Sequence, residues 1–363
     1  MSPGRRRGAG ALGEGPRGTE PPGEPGGDES SERPLTVAVT GPTGTFGAGL
    51  VPLLQDDDRI GKIIGIARRP FDPAERGWTK MEYRRGDVRD ADALLEAFAG
   101  ADVVVHLAFL ITGNASRETA RSINVDGTLN VFGAAAAAGA RRFVYASSVA
   151  AYGFHDDNPD RIGEEWPTRP AARLFYAQEK AELEALLERE SQSHADLALY
   201  LLRPPIVLGP NAVGAKDVLP GPLAPLGRRL LGRPRRLPVP LPMVVPEHPL
   251  QLIHEEDVGR ALQLCVVGAG PPGAYNIAGE GVVTAADVAR EFGVLPIRVP
   301  AGPGQAAARA MSRLPFLPPV AEWIEAASQP VLVDTTRAKE RLGWRPRYTG
   351  LEALRDTVRP RVD

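Results

Sequence analysis

The chain has 363 residues, with 43 basic and 45 acidic side chains leaving a net charge of −2, so no nucleic-acid partner is expected. Its one cysteine, Cys265, excludes a disulfide framework and reads as a buried structural thiol. No uninterrupted apolar stretch reaches the ~18 residues of a membrane span, so no integral membrane segment is expected.

Residues 1–34 are rich in Gly, Pro, Glu and Arg and nearly free of large apolar side chains. Such a segment buries too little surface to offset ordering entropy, and a disordered tail is expected. Arg5, Arg6 and Arg7 are not followed by an apolar segment, so they do not form an export signal, and a cytoplasmic location is expected.

From Leu35 the pattern alternates strand and helix. Strands are expected at 35–40, 62–67, 81–84, 102–107, 142–147 and 197–203, with a last one at 274–278. Runs such as Val103-Val104-Val105 suit a parallel sheet buried on both faces, and the alternation implies βαβ units. The fold class is therefore α/β, a doubly wound parallel sheet of the Rossmann type. A dinucleotide-binding core is expected at roughly 35–210, and a smaller C-terminal substrate lobe mainly at 211–250 and 280–358.

The first strand leads into TGPTGTFG, residues 40–47, and then into an apolar-periodic helix at 46–54. Strand, glycine-rich turn and helix present backbone N–H groups to a phosphate. The spacing Gly41-x-x-Gly44-x-x-Gly47 makes Gly41, Thr43, Gly44, Thr45, Phe46 and Gly47 candidate cofactor contacts. Purely steric glycine turns have the same look. The second strand ends at Ala67, where the NAD-binding layout has an acid, and Arg68 and Arg69 follow. A missing carboxylate and two guanidiniums suit a 2′-phosphate, hence NADP, with NAD as the alternative. Two solvated surface arginines would give the same sequence.

Tyr176 and Lys180 in YAQEK are four residues apart and share a helix face. A lysine ammonium favours a nearby phenolate and lowers the tyrosine pKa from its ordinary value of about 10, making a usable acid/base. The serine pair Ser147-Ser148 ends the strand upstream. Alone, a Tyr-x-x-x-Lys spacing is also that of an ordinary exposed face.

In order along the chain stand TGPTGTFG, GDV at 86–88, HLA at 106–108, NVDGTLN at 124–130, ASSVAAYG at 146–153, YAQEK and LRPPIVLGP at 202–210. GAYNIAGE at 273–280 and a C-terminal segment at 334–358 continue the match. The chain resembles the extended short-chain dehydrogenase/reductases, the NAD-dependent epimerase/dehydratase family, from about residue 35 to 358. The resemblance implies that Tyr176 is the general acid/base, that Lys180 lowers its pKa and binds the nicotinamide ribose, and that Ser148 rather than Ser147 supplies the hydroxyl. It places Asp87 and Val88 at the adenine and Leu107, Ala108 and Phe109 near the pyrophosphate or ribose. Pro204 and Ile206 fall beside the carboxamide. Asn124 binds near the lysine or packs a helix, and His106 is structural. No metal-ligand cluster is present in the sequence, and a homodimer is compatible with it, the oligomeric state being open.

The leading functional expectation is an NADP(H)-linked oxidoreductase acting on an alcohol or ketone carbon of a small or medium, largely apolar substrate. The apolar segments 219–226 and 237–245 suit such a cleft. A nucleotide-sugar epimerase with bound NAD is the alternative, its diphosphate held by Arg228, Arg229, Arg233, Arg235 and Arg236. A non-catalytic NADP-binding regulator is the third reading. Residues 148–150 are Ser-Val-Ala where the family's dehydratases carry Thr-Asp-Glu, so water elimination is not expected.

Overall fold

The computed structural model describes residues 1, 33–111, 116–172, 174–212, 242–291, 293–299, 302 and 329–358. The expected tail except residues 1, 33 and 34, both apolar cleft segments except 242–245, and the five arginines of the expected diphosphate clamp lie outside them.

Seven parallel strands form the main sheet: β1 (Leu35–Thr40), β2 (Ile60–Ala67), β3 (Met81–Arg85), β4 (Val103–His106), β5 (Arg142–Ala146), β6 (Ala198–Arg203) and β11 (Gly273–Asn276). Their order is β11-β6-β5-β4-β1-β2-β3, so the winding reverses between β1 and β4. In such sheets a ligand crevice opens beyond the strand C-termini at this reversal. The strands stand where the apolar runs put them, within two residues at either end.

Strand β1 shows why. Val37 and Val39 face one core, with Leu50 and Leu54 of helix α1 (Thr45–Asp56), while Ala38 faces a second core with Val131 and Phe132 of α4 (Gly127–Ala137). Both faces are buried, so the run is apolar without alternation. Two short helices, α2 (Ala91–Ala97) and α3 (Arg117–Arg121), and the long α5 (Phe175–Ser193) complete the wrapping of this half with α4.

Helix α6 (Glu255–Val267) packs closely on α1. A Cβ on Gly49 would sit 2.1 Å from the Glu255 carbonyl oxygen, and one on Gly259 would sit 2.1 Å from that of Gly49. Only two glycines let these backbones touch. The remaining strands pair outside the main sheet: β7 (Ile206–Leu208) with β10 (Leu252–His254), β8 (Pro242–Pro246) with β13 (Leu295–Val299), and β9 (Pro249–Leu250) with β12 (Val283–Thr284). Ala338, Leu342 and Trp344 lie in the core under α1 and α6, and the Trp344 indole N–H donates to the Asp257 carbonyl at 2.9 Å. These C-terminal residues thus help to close the core on that side of the main sheet.

Candidate active site

The turn after β1 is shaped by its glycines. Gly41 has φ +71°, and a Cβ there would meet Ala108 backbone atoms at 3.0 Å, so the turn lies directly against the segment that follows β4. Gly47 is required by close packing, since its Cβ would fall 2.1 Å from the Pro42 oxygen. Gly44 is different. It caps α1 in an extended conformation with no side-chain cap, and a Cβ there would make only an ordinary 3.5 Å contact. Protein packing does not demand glycine at 44. A side chain would instead fill the approach to the helix N-terminus, the place a diphosphate has to reach. Thr43 is exposed, Phe46 is half-buried, and the Thr45 hydroxyl donates to the Asn211 carbonyl at 3.4 Å. The turn therefore fits a dinucleotide.

At the adenosine end Arg68 and Arg69 are exposed beyond Ala67. Arg85 is the register partner of Ala67 on β3, so a third guanidinium starts from beside the missing acid. Sequence reading missed it, although the run Arg84-Arg85-Gly86-Asp87 was available. A cleft of about 260 Å³ opens here, lined by Ile66, Arg84, Arg85, Gly86 and Asp87 among others. Asp87 receives a bidentate fork from Arg89, at 3.0 and 2.7 Å. That bond holds its carboxyl below the usual range, with a smaller contribution from Arg68. The carboxylate expected to meet adenine thus already has a partner, though its remaining lone pairs can accept another donor. Val88 is buried, and its carbonyl accepts from the Asn130 amide at 3.3 Å.

Leu107, Ala108 and Phe109 follow β4 and are half-buried. The strand end is fixed by His106, whose Nδ1 lies 2.7 Å from the Thr40 hydroxyl and Nε2 2.9 Å from that of Thr128. Burial, with help from the Lys180 charge, pushes the imidazole down to about 3, so it is neutral and structural as expected. Asn124 is bonded on both sides by protein. It sits in a π-helical turn, Ser122–Asp126, with Oδ1 accepting from Leu110 N at 2.7 Å. Its Nδ2 donates to the Leu110 carbonyl at 3.0 Å and to Glu179 Oε2 at 2.7 Å. Both amide hydrogens are taken by protein, and the side chain braces the loop after β4.

The two serines at the end of β5 part company. The Ser147 hydroxyl donates to Glu184, which is forked by Arg203 with Nε to Oε1 at 3.0 Å and Nη2 to Oε2 at 2.5 Å. Ser148 caps the turn Val149–Tyr152, accepting from Ala150 N at 3.2 Å, and its hydroxyl acts to lower the pKa of the Tyr176 phenol. Tyr176 opens α5, and the Phe109 ring meets it edge-on with centroids 5.7 Å apart. Pro204 accepts from Val149 N at 3.1 Å, behind this turn, and Ile206 is exposed on β7.

Lys180 lies one turn further along α5 and is 3 % exposed. Its Nζ donates to the Ala146 carbonyl at 2.7 Å and the Tyr145 hydroxyl at 3.0 Å, and sits 3.7 Å from the Phe109 ring centroid. The Tyr176 centroid is 5.9 Å away. Burial lowers the ammonium to about 7, against the charges of Glu184 and Glu179. The expected electrostatics are reversed in this arrangement. Burial raises the Tyr176 phenol above its ordinary value, against the Ser148 hydroxyl, and two of the three ammonium hydrogens are directed to Tyr145 and Ala146. Tyr145 stands in β5, and only the fold reveals it as a partner of the lysine. Among the described residues no cluster of His, Cys, Asp or Glu could hold a metal ion.

The NAD dependent epimerase/dehydratase family matches residues 37–278. The chain belongs to that family. An uncharacterized protein of Mycobacterium tuberculosis, Rv0501, is 28% identical over 340 residues, covering 92% of this chain and 86% of its own length. The L-arabinose 1-dehydrogenase (NAD(P)(+)) of Haloferax volcanii is 38% identical over 112 residues, which is 31% of this chain and 40% of that one. Among solved structures, the UDP-glucose 4-epimerase of Thermotoga maritima with UDP-glucose superimposes with a TM-score of 0.65, at 22% identity, covering 89% and 97% of the two chains. DesIV, the dTDP-glucose 4,6-dehydratase of Streptomyces venezuelae with NAD bound, gives 0.66 at 22% identity, covering 90% and 96%. At these identities the superpositions speak for the fold.

Proposed function

We propose that this family member is an NADP(H)-linked oxidoreductase acting on an alcohol or ketone carbon of a small or medium, largely apolar substrate. The observation that carries the reading is the grouping of Ser148, Tyr176 and Lys180: Ser148 at the end of β5 acts on the Tyr176 phenol, and the Lys180 ammonium lies 5.9 Å from the Tyr176 ring centroid and 3.7 Å from that of Phe109. When bound, the nicotinamide supplies the hydride acceptor or donor. Tyr176 moves the proton at its phenol oxygen. Ser148 hydrogen-bonds the same substrate oxygen, and Lys180, one helical turn beyond Tyr176, would contact the ribose of the bound cofactor. Phe109 against Tyr176 and exposed Ile206 favour an apolar substrate. Ala67, Arg68, Arg69 and the register position of Arg85 support NADP.

Fluorescence titration of the purified protein with NADPH and NADH tests the cofactor, and a panel of ketones and sugar nucleotides tests the substrate class. NADPH is expected to bind tighter, with the preference reduced in Arg68→Ala. Tighter NADH binding that is unchanged in Arg68→Ala would overturn it. Co-purified NAD(H) with turnover of a UDP-sugar would move the reading to the epimerase.

A further inference from the structure

We propose that Glu179 is a positioning residue: through Asn124 it anchors the loop after β4, and so holds Phe109 against Tyr176 and Lys180. The inference rests on the reading of Tyr176 and Lys180 as an oxidoreductase centre.

Glu179 is 1% exposed, on the side of α5 that meets the π-helical turn Ser122–Asp126. A buried carboxylate is costly unless its bonds serve a purpose, and an apolar residue would pack such a helix face better. Its described bond is the one from Asn124 Nδ2 to Oε2, at 2.7 Å, while Oε1 is buried with no hydrogen-bond partner among the described residues. A carboxylate only accepts, so it fixes one amide hydrogen of Asn124. The other hydrogen and Oδ1 then close a two-bond clamp on the Leu110 carbonyl and N–H, at 3.0 and 2.7 Å. Residue 110 directly follows Phe109, whose ring covers the lysine ammonium at 3.7 Å and meets Tyr176 edge-on. The path from Glu179 to the site thus runs through consecutive contacts. Arg121, Lys180 and Glu182 act on this carboxyl only through their charges, and burial pushes it up. The bond to Asn124 is what ties it to the loop.

The test compares Glu179→Ala and Glu179→Gln in the full chain, by hydrogen exchange over residues 107–111 and by NADPH titration. Glu179→Ala should speed exchange at 107–111 about tenfold, equivalent to ~1.4 kcal/mol of local opening, with the rest of the sheet unaffected. NADPH should bind several-fold more weakly. Glu179→Gln keeps an acceptor for Asn124 and should restore both readouts to within about twofold of the wild type. Unchanged exchange at 107–111 in the Ala variant would overturn the proposal. So would a Gln variant as damaged as the Ala variant, or a loss of protection spread through the whole core, which marks general packing. If the wild type binds no dinucleotide, the oxidoreductase reading fails, and the exchange data still decide whether Glu179 holds the loop.

Discussion

Two polar clusters meet at the end of β5, and they are built from adjacent residues. Ser147 belongs to a closed cluster: Glu184 receives Ser147 and Arg203, Arg203 donates to the Tyr152 hydroxyl at 2.7 Å, and Tyr152 donates to Asn276 at 2.9 Å. The Asn276 N–H in turn donates to Glu164 at 2.8 Å. Ser148 belongs to an open cluster with Tyr176, next to a lysine whose pKa is displaced by burial. Consecutive side chains of an extended segment point to opposite sides, so one strand end feeds both. The difference teaches what each is for. A buried ion pair with its lone pairs filled fixes where the sheet stops. The next residue can then hold a hydroxyl at the crevice without an inward partner of its own.

The largest expected effect breaks the open cluster alone. Tyr176→Phe keeps the ring under Phe109 and removes only the phenol oxygen. Turnover on any accepted substrate should fall by ~10²–10⁴-fold, with NADPH affinity and melting temperature nearly unchanged. Glu184→Ala should do the reverse. It strands the Arg203 guanidinium, which is 4% exposed, and should lower unfolding free energy by about 3–5 kcal/mol in a denaturant titration. If Tyr176→Phe unfolded as readily as Glu184→Ala, the two clusters would be one structural unit.

Much of this was legible in the sequence, for a physical reason. A sheet buried on both faces leaves continuous apolar runs, and turns with tight backbone approaches leave glycines, so strands and the dinucleotide turn can be read from local pattern. Partners brought together by the fold cannot. Lys180 is turned to Tyr145, 35 residues away, and Asn124 to Glu179, 55 away. Trp344 joins the main core through Asp257, 87 residues distant. The positions of Tyr176 and Lys180 were visible from their spacing, but the reversal of the tyrosine's expected shift depends on burial, which spacing does not encode.

The serines sharpen the comparison at its narrowest point. Ser148→Ala removes the hydroxyl beside Tyr176 and should lower turnover by roughly 10²-fold, the scale of one donor lost from a reacting oxygen, with about 1 kcal/mol of stability lost because Ala150 N loses its cap. Ser147→Ala should leave activity within about twofold and lower stability by ~1 kcal/mol, since Glu184 Oε1 keeps its bond from Arg203 at 3.0 Å. A Ser147→Ala enzyme slower than Ser148→Ala would exchange the roles assigned to the two clusters.

The gentlest probe is pH, and it separates the clusters without a mutation at either serine. Lys180 is lowered from 10.5 to about 7 in the folded chain by burial. Between those values the unfolded chain holds a proton that the folded chain has released, so stability should rise with pH, by at most ~1.4 kcal/mol per unit. Below about pH 7 both states carry the proton, and the folded state bears the full burden of a buried ammonium. His106, lowered from 6.5 to about 3, acts further down: as pH falls through that window the unfolded imidazole takes a proton the folded one refuses, and stability drops. Above pH 10 the order inverts, because Tyr145 and Tyr176 have raised values and the unfolded phenols ionise first. Stability should therefore peak on the alkaline side of neutrality. Lys180→Met removes the titrating group while keeping an unbranched chain beneath Phe109. Denaturant midpoints measured at about pH 6 and about pH 9 should rise with pH in the wild type and stay level in Lys180→Met. Equal slopes in the two proteins would show that the alkaline rise comes from elsewhere, and that the lysine is better solvated than its contacts with Tyr145, Ala146 and Phe109 imply.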